Sequence, residues 1–135
     1  MTKPFSVLLI DDDATNNFLT ELLFQRLNVA DQVLVAETGQ QALDLLTAPD
    51  APAPALLLLD LNMPGLSGAE FLARYQAQPP APAAQPVVVV LTTSTNQQDL
   101  TLIKQLHIDG LVTKPLTEEK LAHLLQLHFP ALLPS

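Results

Sequence analysis

Carboxylates, hydroxyls and an ammonium follow four separate apolar runs of this chain. Three adjacent aspartates (11–13) follow "SVLLI", Asp60 follows "LLLL", Thr92 and Thr93 follow "VVVVL", and Lys114 follows "GLVT". Neighbouring carboxylates repel one another strongly where water is scarce, and Mg²⁺, a hard cation that prefers oxygen ligands, would relieve that repulsion. A carboxylate beside a metal and a lysine can attack a phosphoryl group, whose oxygens the two cations would neutralise. These residue types predict a magnesium-assisted phosphoryl acceptor.

Five short apolar runs predict the strands that would bring these groups together, at residues 5–10, 32–36, 55–59, 87–91 and 110–113. Runs that are apolar nearly throughout are typical of parallel strands covered by helices on both faces. Alternation of these runs with helical patterns predicts an α/β fold of the (βα)5 type, which right-handed crossovers make doubly wound. Ligands of such sheets bind at the carboxyl ends of the strands, where all the groups above would lie.

Apolar residues at helical spacing predict the intervening helices. They are Phe18, Leu19, Leu22, Leu23 and Leu27, then Leu100, Ile103 and Leu106, and finally Leu121, Leu124, Leu125 and Phe129. Two capping boxes, Thr38 with Gln41 and Ser67 with Glu70, predict helix starts. For Asp13 two roles are open: it could belong to the acidic site, or its side chain could cap the first helix.

Composition excludes several classes of function. The 135 residues suffice for one domain with a proper core, and 48% of them are apolar. No uncharged apolar run approaches the ~20 residues that span a bilayer, and the N-terminus lacks the features of a signal peptide, so we expect a cytoplasmic protein. The absence of cysteine excludes disulfides and thiolate metal sites. A net charge of −8 with only six Lys and Arg argues against direct nucleic-acid binding.

Four stretches of the chain carry a family resemblance. They are "IDDD" (10–13), "LLLLDLNMPGLSG" (56–68), "VVVLTTS" (88–94) and "DGLVTKPLT" (109–117). In identity, order and spacing they resemble the receiver domain of two-component response regulators, and the resemblance covers nearly the whole chain. It implies a flavodoxin-like strand order, 2-1-3-4-5, a receiver domain over residues 1–130 and a short tail at 131–135 without an output domain.

The resemblance also implies an acidic metal and phosphoryl site. Asp60 would be the phosphoacceptor and a metal ligand. Asp12 would be a direct Mg²⁺ ligand, with Asp11 helping to hold the ion and the backbone carbonyl of Asn62 as a further ligand. Mn²⁺ would be a substitute for Mg²⁺.

The resemblance further implies a switch on the last two strands. Thr92, rather than Thr93, would move to bond the phosphoryl group, and Lys114 would pair with its oxygens, with a cis peptide bond before Pro115. The family's switch aromatic is replaced by Leu111, which departs from the pattern.

Two small polar residues occupy positions that tune acyl-phosphate lifetime in the family, Asn62 and Ser94. The two proline-rich stretches, at 47–55 and 78–86, are longer than the family needs and are interpreted as surface loops.

The function implied is that of a single-domain response regulator rather than of an enzyme with a separate substrate. A histidine kinase or phosphotransfer protein would supply the phosphoryl group, because none of the chain's own histidines (107, 123 and 128) is placed as a donor. Signalling would proceed through an unknown downstream protein, with the domain a monomer or weak homodimer.

Three alternatives remain open at this point. The first is a receiver-like interaction module that takes no phosphate. The second is a phosphohydrolase, although Asn62 stands where such an enzyme needs a general-acid carboxylate. The third is a flavin-binding protein, although "DDDATN" would repel a phosphate that lacks a metal.

Overall fold

Five parallel strands form one sheet in the order β2-β1-β3-β4-β5. The strands are β1 (Ser6–Ile10), β2 (Gln32–Ala36), β3 (Leu56–Asp60), β4 (Val87–Thr92) and β5 (Gly110–Thr113). The helices are α1 (Ala14–Leu27), α2 (Gly39–Thr47), α3 (Gly68–Ala77) and α4 (Glu118–His128), and a 3₁₀ turn follows at Pro130–Leu132. These elements come from a computed structural model that describes residues 5–48, 54–61, 68–77, 86–92, 101 and 104–132.

The predicted doubly wound fold and strand order are confirmed, and the predicted strand bounds are correct to within one residue. The differences concern the site, since β3 extends to Asp60 and β4 extends to Thr92. Both residues belong to the hydrogen-bonded ladder, in which Asp60 is paired with Leu91 and Thr92 with Thr113. The sheet therefore fixes the backbone of two residues that the sequence places at its functional edge.

Helices cover both faces of the sheet because successive strand residues point in opposite directions. On one face Leu8, Ile10, Leu57 and Leu59 pack with side chains of α2 and α3 such as Phe71. On the other, Val7, Leu9, Leu56 and Leu58 pack with Phe24 of α1 and with Leu121, Leu124 and Leu125 of α4. The near-continuous apolar strands thus reflect burial on two sides.

Helix α1 differs from the simplest interpretation of its apolar pattern. Phe18, Leu19 and Leu22 are 61%, 51% and 37% exposed, while Phe24 is buried. Of the residues that predicted this helix, only Leu23 and Leu27 pack against the core. The helix therefore presents an apolar strip to solvent.

Side-chain caps begin three of the four helices that the structure describes. Asp13 accepts hydrogen bonds from the backbone N–H groups of Thr15 and Asn16 and so caps α1. Thr38 caps α2 through the N–H of Gln41, and Thr117 caps α4 through the N–H of Lys120. Each cap satisfies an N–H that the helix itself leaves without a partner.

Some predicted features lie outside the described residues, namely the capping residue Ser67 and the helical positions Leu100 and Ile103. Within the described part of the chain, no helix combines the length and the apolar character that crossing a membrane would require.

Candidate functional site

Three carboxylates meet at the carboxyl ends of β1 and β3. One carboxylate oxygen from each of Asp11, Asp12 and Asp60 lies within 4.8 Å of the others. Asp11 and Asp60 are only 7% and 3% exposed, whereas Asp12 is exposed. Two of the three acids are therefore buried at this edge of the sheet, and the third is exposed to solvent.

One ammonium lies against both buried acids. The Nζ of Lys114 is 3.1 Å from Oδ1 of Asp60 and 3.4 Å from Oδ2 of Asp11. The Lys114 side chain is 16% exposed, so its long stem is largely covered and its charge faces inward. With one positive and three negative groups the cluster carries a formal excess of two negative charges, a cost that low local dielectric increases.

This donor set fits a hard divalent cation. Clustered carboxylate oxygens with one solvent-facing member match the preference of Mg²⁺ for oxygen ligands and retained waters. Asp11, Asp12 and Asp60 are the described residues that would hold such an ion. Asn62, whose backbone carbonyl is predicted to be a further ligand, lies outside the described residues.

The β1–α1 connection is organised around Asp11. Its backbone N–H donates to the carbonyl of Ala36 at 3.0 Å, which extends the β1–β2 ladder by one step. Its Oδ1 accepts from the backbone N–H of Asp13 at 2.9 Å. Asp13 itself caps α1 and is not part of the three-carboxylate group. Of the two roles considered for Asp13, the structure shows the helix cap.

The other two predicted side chains enter the edge from β4 and from the end of β5. Thr92 is buried, and its backbone carbonyl accepts from the N–H of Lys114 at 2.9 Å. This bond aligns the threonine and the lysine across neighbouring strands. The peptide bond between Lys114 and Pro115 is cis.

Leu111, at the position of the family's switch aromatic, lies on β5 and is 50% exposed. It pairs with Val90 in the β4–β5 register, two residues before Thr92. Thr93 and Ser94 lie outside the described residues, so the structure gives no account of the predicted tuning position at Ser94.

Two residues of the edge are not apparent from the sequence pattern. The side chain of Asn17 donates from Nδ2 to the backbone carbonyl of Asp11 at 2.9 Å and is buried. Gly68 packs so closely on β3 that an added Cβ would overlap the carbonyl oxygen of Asp60. In the sequence, Asn17 is one amide in a leucine-rich helix and Gly68 is one glycine after "LS". Neither pattern is specific enough to predict these contacts.

A cavity of about 300 Å³ adjoins the acidic cluster. Its lining includes Asp11 and Lys114 of the cluster, together with Leu19 and Thr20 of α1 and Leu116 before α4. Leu19 is one of the exposed apolar residues of α1, so this strip borders the approach to the buried acids.

Comparison with known proteins gives a consistent result. The sequence model of one protein family, described as the response regulator receiver domain, matches residues 7–126. The probable methanogenesis regulatory protein FilR2 of Methanothrix harundinacea is 33% identical over 121 residues, covering 87% of this chain and 77% of that protein. Response regulator Rcp1 of Synechocystis is 30% identical over 115 residues, covering 82% and 77% respectively.

Solved structures agree in fold. The Mn²⁺-bound form of Rcp1 superposes with a TM-score of 0.79 at 26% identity, covering 98% of this chain and all of that one (100%). The bacteriophytochrome response regulator AtBRR gives a TM-score of 0.75 at 26% identity, covering 99% and 97%.

Proposed function

The chain belongs to the response regulator receiver domain family of two-component signal transduction, and we propose that it accepts a phosphoryl group on Asp60 in a Mg²⁺-dependent reaction. The observation that carries this proposal is the position of Lys114, whose ammonium lies against two buried carboxylates, Asp60 and Asp11. A purely structural ion pair needs one acid. A second buried acid and a third at the surface leave negative charge that a divalent cation would balance.

The chemistry is a transfer between two nucleophiles. A carboxylate oxygen of Asp60 attacks the phosphorus of a donor phosphohistidine, the new O–P bond forms, and the N–P bond breaks with its electron pair going to the imidazole, which takes up a proton. Lys114 already lies within contact of Asp60 and would follow the phosphoryl oxygens as negative charge moves onto them. A bound Mg²⁺ or Mn²⁺ would offset charge on the same oxygens. The Mn²⁺-bound form of the similar protein Rcp1 supports the binding of a divalent ion by this chain.

The output we propose is a change in protein contacts rather than catalysis on a separate substrate. Thr92 would shift toward the new phosphoryl oxygens, and Leu111, two ladder positions away, would repack with it. Leu111 is half exposed, so it can gain burial in the phosphorylated state. That differential contact is what a two-state response requires.

The phosphodonor we propose is a sensor histidine kinase or a histidine phosphotransfer protein in the cytoplasm, and the receiver signals to a further protein as a monomer or weak homodimer. Structures of bacteriophytochrome response regulators among the similar proteins support a sensory donor. The formal charge of −8 supports a protein target rather than a nucleic acid.

The decisive test is phosphorylation by a small donor. Incubation with acetyl phosphate and Mg²⁺ should add the mass of one phosphoryl group to the intact wild-type protein and none to Asp60→Asn. Asp44→Asn makes the same change on the exposed face of α2 and should be phosphorylated like the wild type. An Asp60→Asn protein that still gains the mass contradicts the assignment of the site.

A second measurement separates acceptance from response. With beryllofluoride and Mg²⁺, backbone amide spectra of the wild type should change around β4 and β5. Thr92→Ser keeps a hydroxyl and should respond, whereas Thr92→Val, of similar shape, should respond less. No change in the wild type favours the interaction module, and many turnovers on small phosphate esters favour the phosphohydrolase.

A further inference from the structure

Asn17 is a buried amide on the inward face of α1. It is only 6% exposed and lies about two turns before Phe24, whose ring is also buried, whereas its neighbour Phe18 faces solvent. Burying an amide is unfavourable unless its polar atoms find partners. A polar side chain in this position therefore calls for a specific contact.

That contact is with Asp11, a member of the three-carboxylate group. Nδ2 of Asn17 donates to the backbone carbonyl of Asp11 at 2.9 Å, a bond between two groups six residues apart. A carbonyl only accepts, so the contacting atom must be the NH₂ of the amide and the side-chain orientation is unambiguous. Leucine, of similar size, would leave this carbonyl without its donor.

The Asp11 carbonyl is part of the planar peptide that leads into Asp12. Three bonds fix that peptide and its neighbours, since the Asp11 N–H binds Ala36, the Asp11 carboxylate accepts from the N–H of Asp13, and the Asp11 carbonyl accepts from Asn17. A planar peptide whose carbonyl direction is held also holds the direction in which the next residue leaves. Asp12 is the exposed member of the three-carboxylate group.

We propose that Asn17 is a positioning residue for divalent-metal binding, which it promotes by holding the Asp11–Asp12 peptide so that both carboxylates face Asp60. The proposal rests on the metal-dependent function proposed above and names a residue that acts on it through Asp11. Asn17 itself touches neither the metal nor the phosphoryl group. Groups that orient ligands in this way commonly change metal affinity when they are replaced.

The test is titration of the purified full chain with Mg²⁺ and with Mn²⁺, followed by calorimetry. Asn17→Leu should weaken metal affinity by about tenfold. Gln25→Leu exchanges an exposed amide of the same helix for leucine and should leave affinity unchanged. Phe24→Leu destabilises the same helix without touching Asp11 and should also leave affinity unchanged, which separates positioning from general loss of stability.

A measurement on the wild type covers the case in which Asn17→Leu does not fold. The side-chain NH₂ resonances of Asn17 should shift as Mg²⁺ binds, and those of Gln25 should not. An unmoved Asn17 resonance at saturating metal, a folded Asn17→Leu with unchanged affinity, or an equal loss in Phe24→Leu would each overturn the proposal. If instead the wild type binds no metal, the failure lies with the proposed function.

Discussion

The ammonium of Lys114 lies 3.1 Å from a carboxylate oxygen of Asp60, and both side chains are at least four-fifths buried. The same ammonium is 3.4 Å from Asp11. In the proposed function the lysine has two roles, which experiments can separate. It compensates buried negative charge in the resting protein, and it is placed to contact the phosphoryl oxygens that Asp60 would receive.

Replacing Lys114 by methionine keeps much of the apolar stem but removes the ammonium. The change should destabilise the protein, because it leaves the two buried acids without their cation. Breaking a fully buried pair costs about 3–5 kcal/mol. The edge is partly open at Asp12, so we expect a smaller loss in the free energy of unfolding, about 2 kcal/mol. Urea denaturation without divalent metal measures it.

The matched variant for this prediction is the double mutant Asp60→Asn, Lys114→Met. Removing one acid together with the lysine should recover part of the lost stability, because less uncompensated charge is buried. A Lys114→Met protein as stable as the wild type, or a double mutant that is simply the sum of two losses, contradicts charge compensation as the resting role of the lysine.

Metal binding should stabilise the fold, and the adjacent residues Asp12 and Asp13 provide the contrast. A ligand at ten times its dissociation constant adds about 1.4 kcal/mol, which raises the thermal midpoint by several degrees. Asp12→Asn should lose most of this increment because it removes one of the three clustered carboxylates. Asp13→Asn should keep it, since asparagine caps a helix as well as aspartate does.

Thermal melts in EDTA and in Mg²⁺ give the increment for each variant. Equal increments in Asp12→Asn and the wild type would place the ion elsewhere. A lost increment in Asp13→Asn would mean that the cap, rather than the acidic cluster, controls metal binding.

The sheet and the meeting of its polar residues could be predicted from the sequence because both follow from simple rules. Apolar runs without alternation indicate strands buried on two faces. The carboxyl ends of parallel strands share one edge of a sheet, so Asp11, Asp60, Thr92 and Lys114 had to approach one another once the strands were identified. No side-chain detail was needed for that step.

The inward face of α1 could not be predicted, because its apolar residues cover most of the helix circumference. At about 100° per residue, the apolar residues between Phe18 and Leu27, with Phe24 among them, spread over about two-thirds of the circumference, and periodicity does not select one face. The structure buries Phe24 and Asn17 and exposes Phe18 and Leu19. The contact of Asn17 with Asp11 requires that Asn17 lie on the buried face of α1. Because that face could not be predicted, the contact could not be predicted either.

Tyr75 provides a pH-dependent prediction away from the edge. Burial against Phe71, with ring centroids 5.9 Å apart, raises the pKa of the Tyr75 hydroxyl above its ordinary value. The folded state thus favours the protonated form, and this contribution to stability is complete below the unfolded-state pKa of about 10 and is lost as pH rises through the higher folded-state pKa.

The chain has a single tyrosine and no tryptophan, so the near-ultraviolet absorbance of tyrosinate reports Tyr75 alone. We expect the titration midpoint of the folded protein to lie above that of the protein in urea, with circular dichroism showing that the fold persists. Tyr75→Phe should lose less stability above pH ~10 than the wild type does. Coincident midpoints would contradict the effect of burial.

Leu19 and Leu127 form a matched pair for testing where the phosphodonor approaches. Both are leucines on helices, 51% and 66% exposed, but Leu19 lines the cavity beside Asp11 and Lys114 whereas Leu127 lies near the far end of α4. In the proposed reaction a donor protein brings its phosphohistidine to Asp60, so we expect the apolar strip that borders this approach to contribute to its binding.

Leu19→Ser should therefore slow phosphotransfer from a cognate histidine kinase by about tenfold, a cost typical of one well-packed interface side chain. Phosphorylation by acetyl phosphate should remain near the wild-type rate, because the small donor needs no docking surface. Leu127→Ser should leave both rates unchanged. Equal slowing with both donors would mean that Leu19→Ser disturbs the acidic edge itself, and an unaffected kinase reaction would direct the search for the docking surface away from α1.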